Sequence, residues 1–276
     1  MVEARLGGGA YGDVYRVRHR FLGVQAMKVL RPDPLAPSLE ALLAEAKLLV
    51  DLLHPNIVRV YDANEATIPS GAFAYLTMEH LPVGTLSSVL ARRVRLPLPS
   101  VLELGAQLGS ALEYAHGSAP PVIHRDITPG NVLVSRENPL SVKLADFGLA
   151  GRVHPETRIL RAAGTIRYLP PEAAWGFASE LGDLYAVALL MYEALTGAAA
   201  FPYVAPDQST VAQLRTELLE QKKKPPLAPS KLRTDLPGAF DALLLRALDP
   251  DPNRRFGSAT EFLQRLGDLR QDLPDV

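Results

Sequence analysis

The 276-residue sequence predicts an α+β fold, with a small β-rich part carrying one helix followed by a larger, mainly helical part. Three observations lead there. Short apolar runs separated by turn residues fill most of the first eighty positions, helical periodicity dominates after Gly84, and the unusual polar residues collect between Val122 and Pro171.

Asp13–His19, Val24–Leu30, Ile57–Asp62 and Phe73–Glu79 are short, apolar-rich and bounded by turn formers, as strands are. The helix among them is Ser38 to Leu53, preceded by prolines, with Leu42, Ala46, Leu49 and Leu53 three and four residues apart. Leu81-Pro82-Val83-Gly84 is a turn, and beyond it Ser100–His116, Glu180–Thr196, Thr210–Gln221, Pro237–Leu248 and Ala259–Leu269 have helical spacing. Val132–Ser135 and Val142–Ala145 are two further β-like runs. The Lys222-Lys223-Lys224-Pro225-Pro226 run reads as a solvated loop.

Apolar residues make up 47% of the chain, enough for a packed core, and Lys+Arg 29 against Asp+Glu 30 leaves a net charge of -1. Without a basic field, nucleic acid is not expected as a partner. The absence of cysteine removes disulfides, thiolate nucleophiles and cysteine-held metals. The longest apolar stretch, Leu184 to Leu195, includes Glu193 and is too short to span a bilayer, and the N-terminus has no signal-like apolar segment, so a cytoplasmic location is expected.

Gly7-x-Gly9-x-x-Gly12-x-Val14 is a glycine-rich turn whose bare backbone could approach phosphate oxygens; because a strand follows it, a dinucleotide fingerprint is disfavoured. Ala26-Met27-Lys28 ends an apolar strand, and Glu45 lies on the amphipathic helix, with Glu40 as its rival for a Lys28 pair. His124-Arg125-Asp126 with Asn131, then Asp146-Phe147-Gly148, put two carboxylates and an amide close together in sequence.

From Leu6 to Leu269 this ordered set, closed by Leu169-Pro170-Pro171-Glu172, resembles a protein kinase of the eukaryotic-like Ser/Thr class, and so a bilobal protein-kinase-like fold. The resemblance implies an N-lobe over 1–79, a hinge over 80–84 and a C-lobe over 85–276, with ATP and Mg²⁺ between the lobes. It implies that Asp126 aligns the substrate hydroxyl, that Asn131 and Asp146 hold the metal, and that Lys28, paired with Glu45, meets the phosphates. By the same resemblance, Leu6, Gly7, Gly8, Gly9, Gly12 and Val14 cover the nucleotide. Ala26 and Leu133 join Val14 in sandwiching adenine. Met78 is the gatekeeper, with Glu79 and Leu81 meeting the purine edge.

The implied substrate is a protein Ser/Thr hydroxyl, since Gly164-Thr165-x-x-Tyr168 resembles the Ser/Thr-type segment that receives the residue after the acceptor. Asp183 resembles the buried aspartate that braces the catalytic loop, and Arg255, or the adjacent Arg254, the partner of Glu172. Arg125 implies a pocket for a phosphorylated activation segment; among the hydroxyls between Asp146 and Glu172, Thr157 is the candidate acceptor, with an ordinary loop threonine as the plain alternative.

Two features depart from the family. Thr128 stands where Ser/Thr members carry a lysine, which leaves a pseudokinase or nucleotide-binding scaffold as the alternative reading. A small-molecule phosphotransferase of the aminoglycoside kinase type shares the catalytic loop, but Phe147-Gly148 and Pro170-Pro171-Glu172 argue against it. Only six residues precede Gly7, so either an abbreviated first strand or a truncated start is expected, and the chain ends soon after its last helix, so no sensor domain or membrane anchor is expected within it.

Overall fold

The computed structural model describes residues 1–9, 12–30, 43, 48–68, 71–147, 165–175, 178–203 and 210–272. Five antiparallel strands form the first layer: β1 (Val2–Gly9), β2 (Gly12–His19), β3 (Gly23–Leu30), β4 (Val60–Ile68) and β5 (Gly71–Glu79), in the order β1-β2-β3-β5-β4. The first strand is not abbreviated: it pairs with β2 from Val2 opposite Val17 to Gly9 opposite Gly12. Backbone pairing overrides the poor strand propensity of three consecutive glycines, because β2 supplies a complete ladder partner.

The Ile57–Asp62 run is split. Its first half leaves the five-stranded sheet, with Val58 N–H donating to Leu144 O (2.9 Å) and Leu144 N–H to Asn56 O (2.8 Å), while β4 starts only at Val60. Ile57 and Val58 are both buried there, so the apolar signal was correct and the partner was different. Of the expected helix, Leu43 and Leu48–Val50 are helical, and the chain has left the helix by Asp51.

A second, three-stranded sheet has the order β6 (Gly84–Thr85), β7 (Val132–Glu137), β8 (Leu140–Leu144). Among the described residues, six helices follow the large sheet: α1 (Leu86–Arg92), α2 (Leu98–His116), α3 (Glu180–Thr196), α4 (Val211–Gln221), α5 (Gly238–Ala247) and α6 (Ala259–Gln271). Helix α1 was not anticipated, although Thr85 caps it by accepting from Ser88 N–H; seven residues are too few to show a periodicity. Helix α3 is buried nearly all round; α2 packs against it, and α6 packs against α2. The apolar run Leu184 to Leu195 is therefore the core helix of the helical part. Among the described residues, no helix is long and apolar enough to cross a membrane. Gly197 ends α3 in the left-handed region (φ 74°), where a Cβ would stand 2.5 Å from the Val94 carbonyl oxygen.

The lysine run after α4 requires a correction. Lys223 and Lys224 are exposed, but Lys222 is 1% exposed, its ammonium donating to Arg167 O (2.8 Å) and Leu169 O (2.6 Å) and lying 5.6 Å from the rings of both Tyr185 and Phe201. Burial lowers its pKa to about 7, with the Glu172 carboxylate opposing that shift. In the unfolded chain the group keeps its proton to about 10.4. Between those values the unfolded state binds more protons, so stability rises with pH across that window. Urea unfolding of the wild type from pH 7 to 10 is expected to show this rise, and the Lys222→Met variant a shallower slope; equal slopes would show that the ammonium does not titrate in the window.

Candidate active site

The β7–β8 hairpin brings the two polar motifs together. Val132 pairs with Leu144, so Asn131 and Ala145 lie opposite each other just outside the ladder, and Ala145 N–H donates to Asn131 O at 2.8 Å. Asp146 follows immediately. Lys28 approaches from the other sheet: β3 alternation turns Ala26 and Lys28 to the same side, and the Lys28 ammonium, 4% exposed, lies 2.6 Å from Asp146 Oδ2. Asn131 Nδ2 donates to Asp126 O (2.7 Å) and to Asp126 Oδ2 (3.1 Å), bonds that do not use its own Oδ1.

The catalytic-loop backbone is held from beneath by Asp183, which is 3% exposed on α3. Its carboxylate accepts from His124 N–H (2.8 Å), Arg125 N–H (2.8 Å) and His116 Nε2 (3.0 Å). Arg125 (φ 69°) and Asp146 (φ 65°) are left-handed, a conformation that costs a non-glycine residue about 1–3 kcal/mol and persists only where neighbours enforce it. At Arg125 the enforcing contact is Asp183. His124 links the two motifs: its Nδ1 accepts from Asp126 N–H (3.2 Å), which assigns the ring proton to Nε2, and Nε2 then donates to Ala145 O at 2.7 Å. Its ring packs on Phe147 at 4.6 Å.

In the glycine turn, a Cβ on Gly12 would stand 2.1 Å from the Val29 carbonyl oxygen, so only glycine lets β2 approach β3 this closely. Arg5 and Asp13 pair at 2.6 Å across the β1–β2 hairpin. Leu6, Gly7, Gly8 and Gly9 lie on β1, and Val14 lies opposite Lys28 in the β2–β3 ladder. Met78 is opposite Ala26 and lines a cavity of about 20 Å³ with Leu76, Leu144, Asp146 and Phe147, room for one water-sized group.

The side chain of Glu79 has a role that sequence reasoning missed. It accepts from Lys143 Nζ at 2.7 and 3.0 Å and from Arg59 N–H at 2.7 Å, tying the end of β5 to β8. Gln107 was also missed: it receives Asn56 Nδ2 and Val142 N–H on its Oε1 and so fixes the segment before β4 onto α2. No local pattern announces either pair, because the partners lie tens of residues apart. Leu81 and Leu133 are half-buried against the core.

Glu172 and Arg255 form a bidentate pair at 2.7 and 2.8 Å, while Arg254 is exposed and 3.7 Å from Asp251, which decides between the two arginines. Thr165 opens a 3₁₀ turn running to Tyr168, whose hydroxyl bonds Glu193 at 2.5 Å. Glu40, Glu45, Gly148, Thr157 and Gly164 lie outside the described residues.

The profile of the protein kinase domain family matches residues 1–266, and the chain belongs to that family. It is similar to a probable serine/threonine-protein kinase of Streptomyces coelicolor, 35% identical over 93% of this chain and 38% of that protein. It is also similar to serine/threonine-protein kinase PknB of Mycobacterium tuberculosis, 32% identical over 93% of this chain and 40% of the other. The chain thus spans about two fifths of the length of these relatives. The crystal structure of the Mycobacterium tuberculosis PknI kinase domain superposes with a TM-score of 0.71 at 29% identity, covering 97% of this chain and 95% of that one. The bilobal protein kinase fold is that of these neighbours. The scaffold reading raised by Thr128 gains no support from relatives that carry kinase names.

The Asp183 brace makes a specific demand. Asp183→Ala leaves the His124 and Arg125 amides without this acceptor, at about 1–3 kcal/mol each, and is expected to lower stability by about 2–6 kcal/mol. Hydrogen exchange would show lost protection at the His124 and Arg125 amides with α2 amides still protected. Retained protection at those two amides would mean that the loop is held by other contacts.

Proposed function

We propose that the protein is a Ser/Thr protein kinase, transferring the γ-phosphoryl group of ATP to protein Ser or Thr hydroxyls, its own included. The observation that carries this reading is the convergence of four polar side chains: Lys28 on Asp146 at 2.6 Å and Asn131 on Asp126 at 2.7 and 3.1 Å. An N-lobe to residue 79, a hinge over 80–84 and a C-lobe beyond it frame the cleft, in a protein acting in the cytoplasm, where ATP is abundant.

Asn131 and Asp146 offer an amide oxygen and a carboxylate, hard donors that suit Mg²⁺. Among the described residues no group of three or more His, Cys, Asp or Glu side chains could cage a metal, so the remaining coordination would fall to phosphate oxygens and water, as Mg²⁺ prefers. A bound Mg²⁺ would supply neutralisation of phosphate charge. Lys28 places a second cation where the α- and β-phosphates would lie, and the glycine turn would cover them.

Asp126 orients the substrate hydroxyl and takes its proton as the oxygen bonds to the γ-phosphorus and the bond to the β-phosphate oxygen breaks. The transition state is loose, so alignment and charge neutralisation do most of the work. Thr157 would be the acceptor for autophosphorylation, with Arg125 as its phosphate partner. Thr128 leaves the catalytic loop without a lysine cation, which sets a slower transfer than Lys at that position would give.

Phosphate transfer from labelled ATP to a Ser/Thr-rich protein is the test. Asp126→Ala should lower the rate by about 100-fold or more while nucleotide binding persists, and Thr128→Lys should raise kcat by about tenfold. Label on neither protein nor peptide, with ATP still bound by the wild type, would overturn the kinase reading in favour of a scaffold.

A further inference from the structure

Lys222 lies in none of the kinase motifs, yet it is among the largest fully buried side chains of the protein. Desolvating an ammonium is expensive, and burial of this kind is kept where the charge is fully used by hydrogen bonds. Its two hydrogen bonds go to one place: the carbonyls of Arg167 and Leu169, which flank Tyr168 in the segment leading to Glu172. Other contacts restrain the segment as well: Ile166 is buried and Arg167 donates to Tyr203 O at 3.4 Å. Its 3₁₀ turn covers only Thr165–Tyr168, Tyr168 bonds Glu193 on α3, and Arg255 grips it further on through Glu172. Lys222 sits at the C-terminal end of α4, so it joins that helix to the segment through main-chain carbonyls, whatever side chains the segment carries.

We propose that Lys222 is a positioning residue for protein-substrate binding, its ammonium clamping the Arg167 and Leu169 carbonyls so that the 165–169 segment presents a fixed backbone to the substrate chain. The inference rests on the kinase reading above, and on the site of substrate contact that this reading assigns to Thr165–Tyr168. The clamp acts on the acceptor side of the site: its bonds go to Arg167 and Leu169, whereas Lys28 bonds Asp146 and Asn131 bonds Asp126.

The charged and titratable groups packed around the ammonium limit how it responds to pH. Beside it lie Arg167 and Arg255, Glu172 opposes its deprotonation, and burial raises the Tyr168 and Tyr185 phenols away from neutrality. Lys222 is thus the member of this group placed to change charge near neutral pH.

The experiment uses the full chain and the best Ser/Thr peptide selected by the wild type from an arrayed library, chosen without histidine. Lys222→Met is expected to raise the peptide KM tenfold or more, leaving the ATP KM within twofold. Unchanged peptide KM, or equal loss in both constants, overturns the clamp. If the variant does not fold, the wild type decides: its peptide KM should rise several-fold from pH 6.5 to 8.5 as the ammonium is lost, with the ATP KM flat, and a flat peptide KM overturns the proposal. A wild type that phosphorylates no peptide in the library, by contrast, fails the kinase reading itself.

Discussion

The Asp183 carboxylate, buried on the central helix α3, is the contact on which the active centre depends. Its oxygens accept from the amides of His124 and Arg125, and that pair of bonds holds Arg125 in a left-handed conformation. A carboxylate can serve two adjacent amides at once because it has several lone pairs and no proton to compete. A helix buried nearly all round thereby becomes the foundation of a strained loop, and rigidity passes from the core to Asp126.

From that foundation a short relay of hydrogen bonds extends toward the large sheet. His124 has one ring nitrogen to accept from Asp126 N–H and one to donate to Ala145, which fixes the spacing between the two polar motifs through a single side chain. The β7–β8 ladder repeats the constraint from the other side. Lys28 then bridges the sheets through Asp146, and Glu79 does so through Lys143 at the cleft's edge. These two ion pairs are shielded from solvent more than ordinary surface pairs, so salt screens them less.

A second group of charges lies on the far side of α3. Glu172, Arg255 and Lys222 are gathered around Tyr185, with the arginine 4.6 Å and the lysine 5.6 Å from its ring. Each charge is matched by hydrogen bonds, the condition under which burial is tolerated. The segment from Thr165 to Glu172 is held by these charges and by main-chain bonds as well as by the burial of Ile166.

Much of this was legible in the sequence. The helix Glu180–Thr196 matches its expected limits, and the other four helices expected beyond Gly84 fall within two residues, because amphipathic spacing and capping residues are local signals. Lys28, Asp126, Asn131 and Asp146 stood out because their chemistry requires those residue types in that order. Other features depended on partners remote in the chain. Ile57 and Val58 are strand-like residues that pair with Leu144 instead of extending β4. Lys222 looks like its exposed neighbours until the carbonyls of Arg167 and Leu169 meet it, more than fifty positions away. Glu79 and Lys143 are unremarkable charges until β5 and β8 are brought side by side. Sequence determined which segments were helix or strand and which residues could do the chemistry, since both are set by local pattern and residue type. Tertiary structure alone decided which charges are buried and what they hold, since a charge in the interior survives only where distant parts of the chain supply its partners.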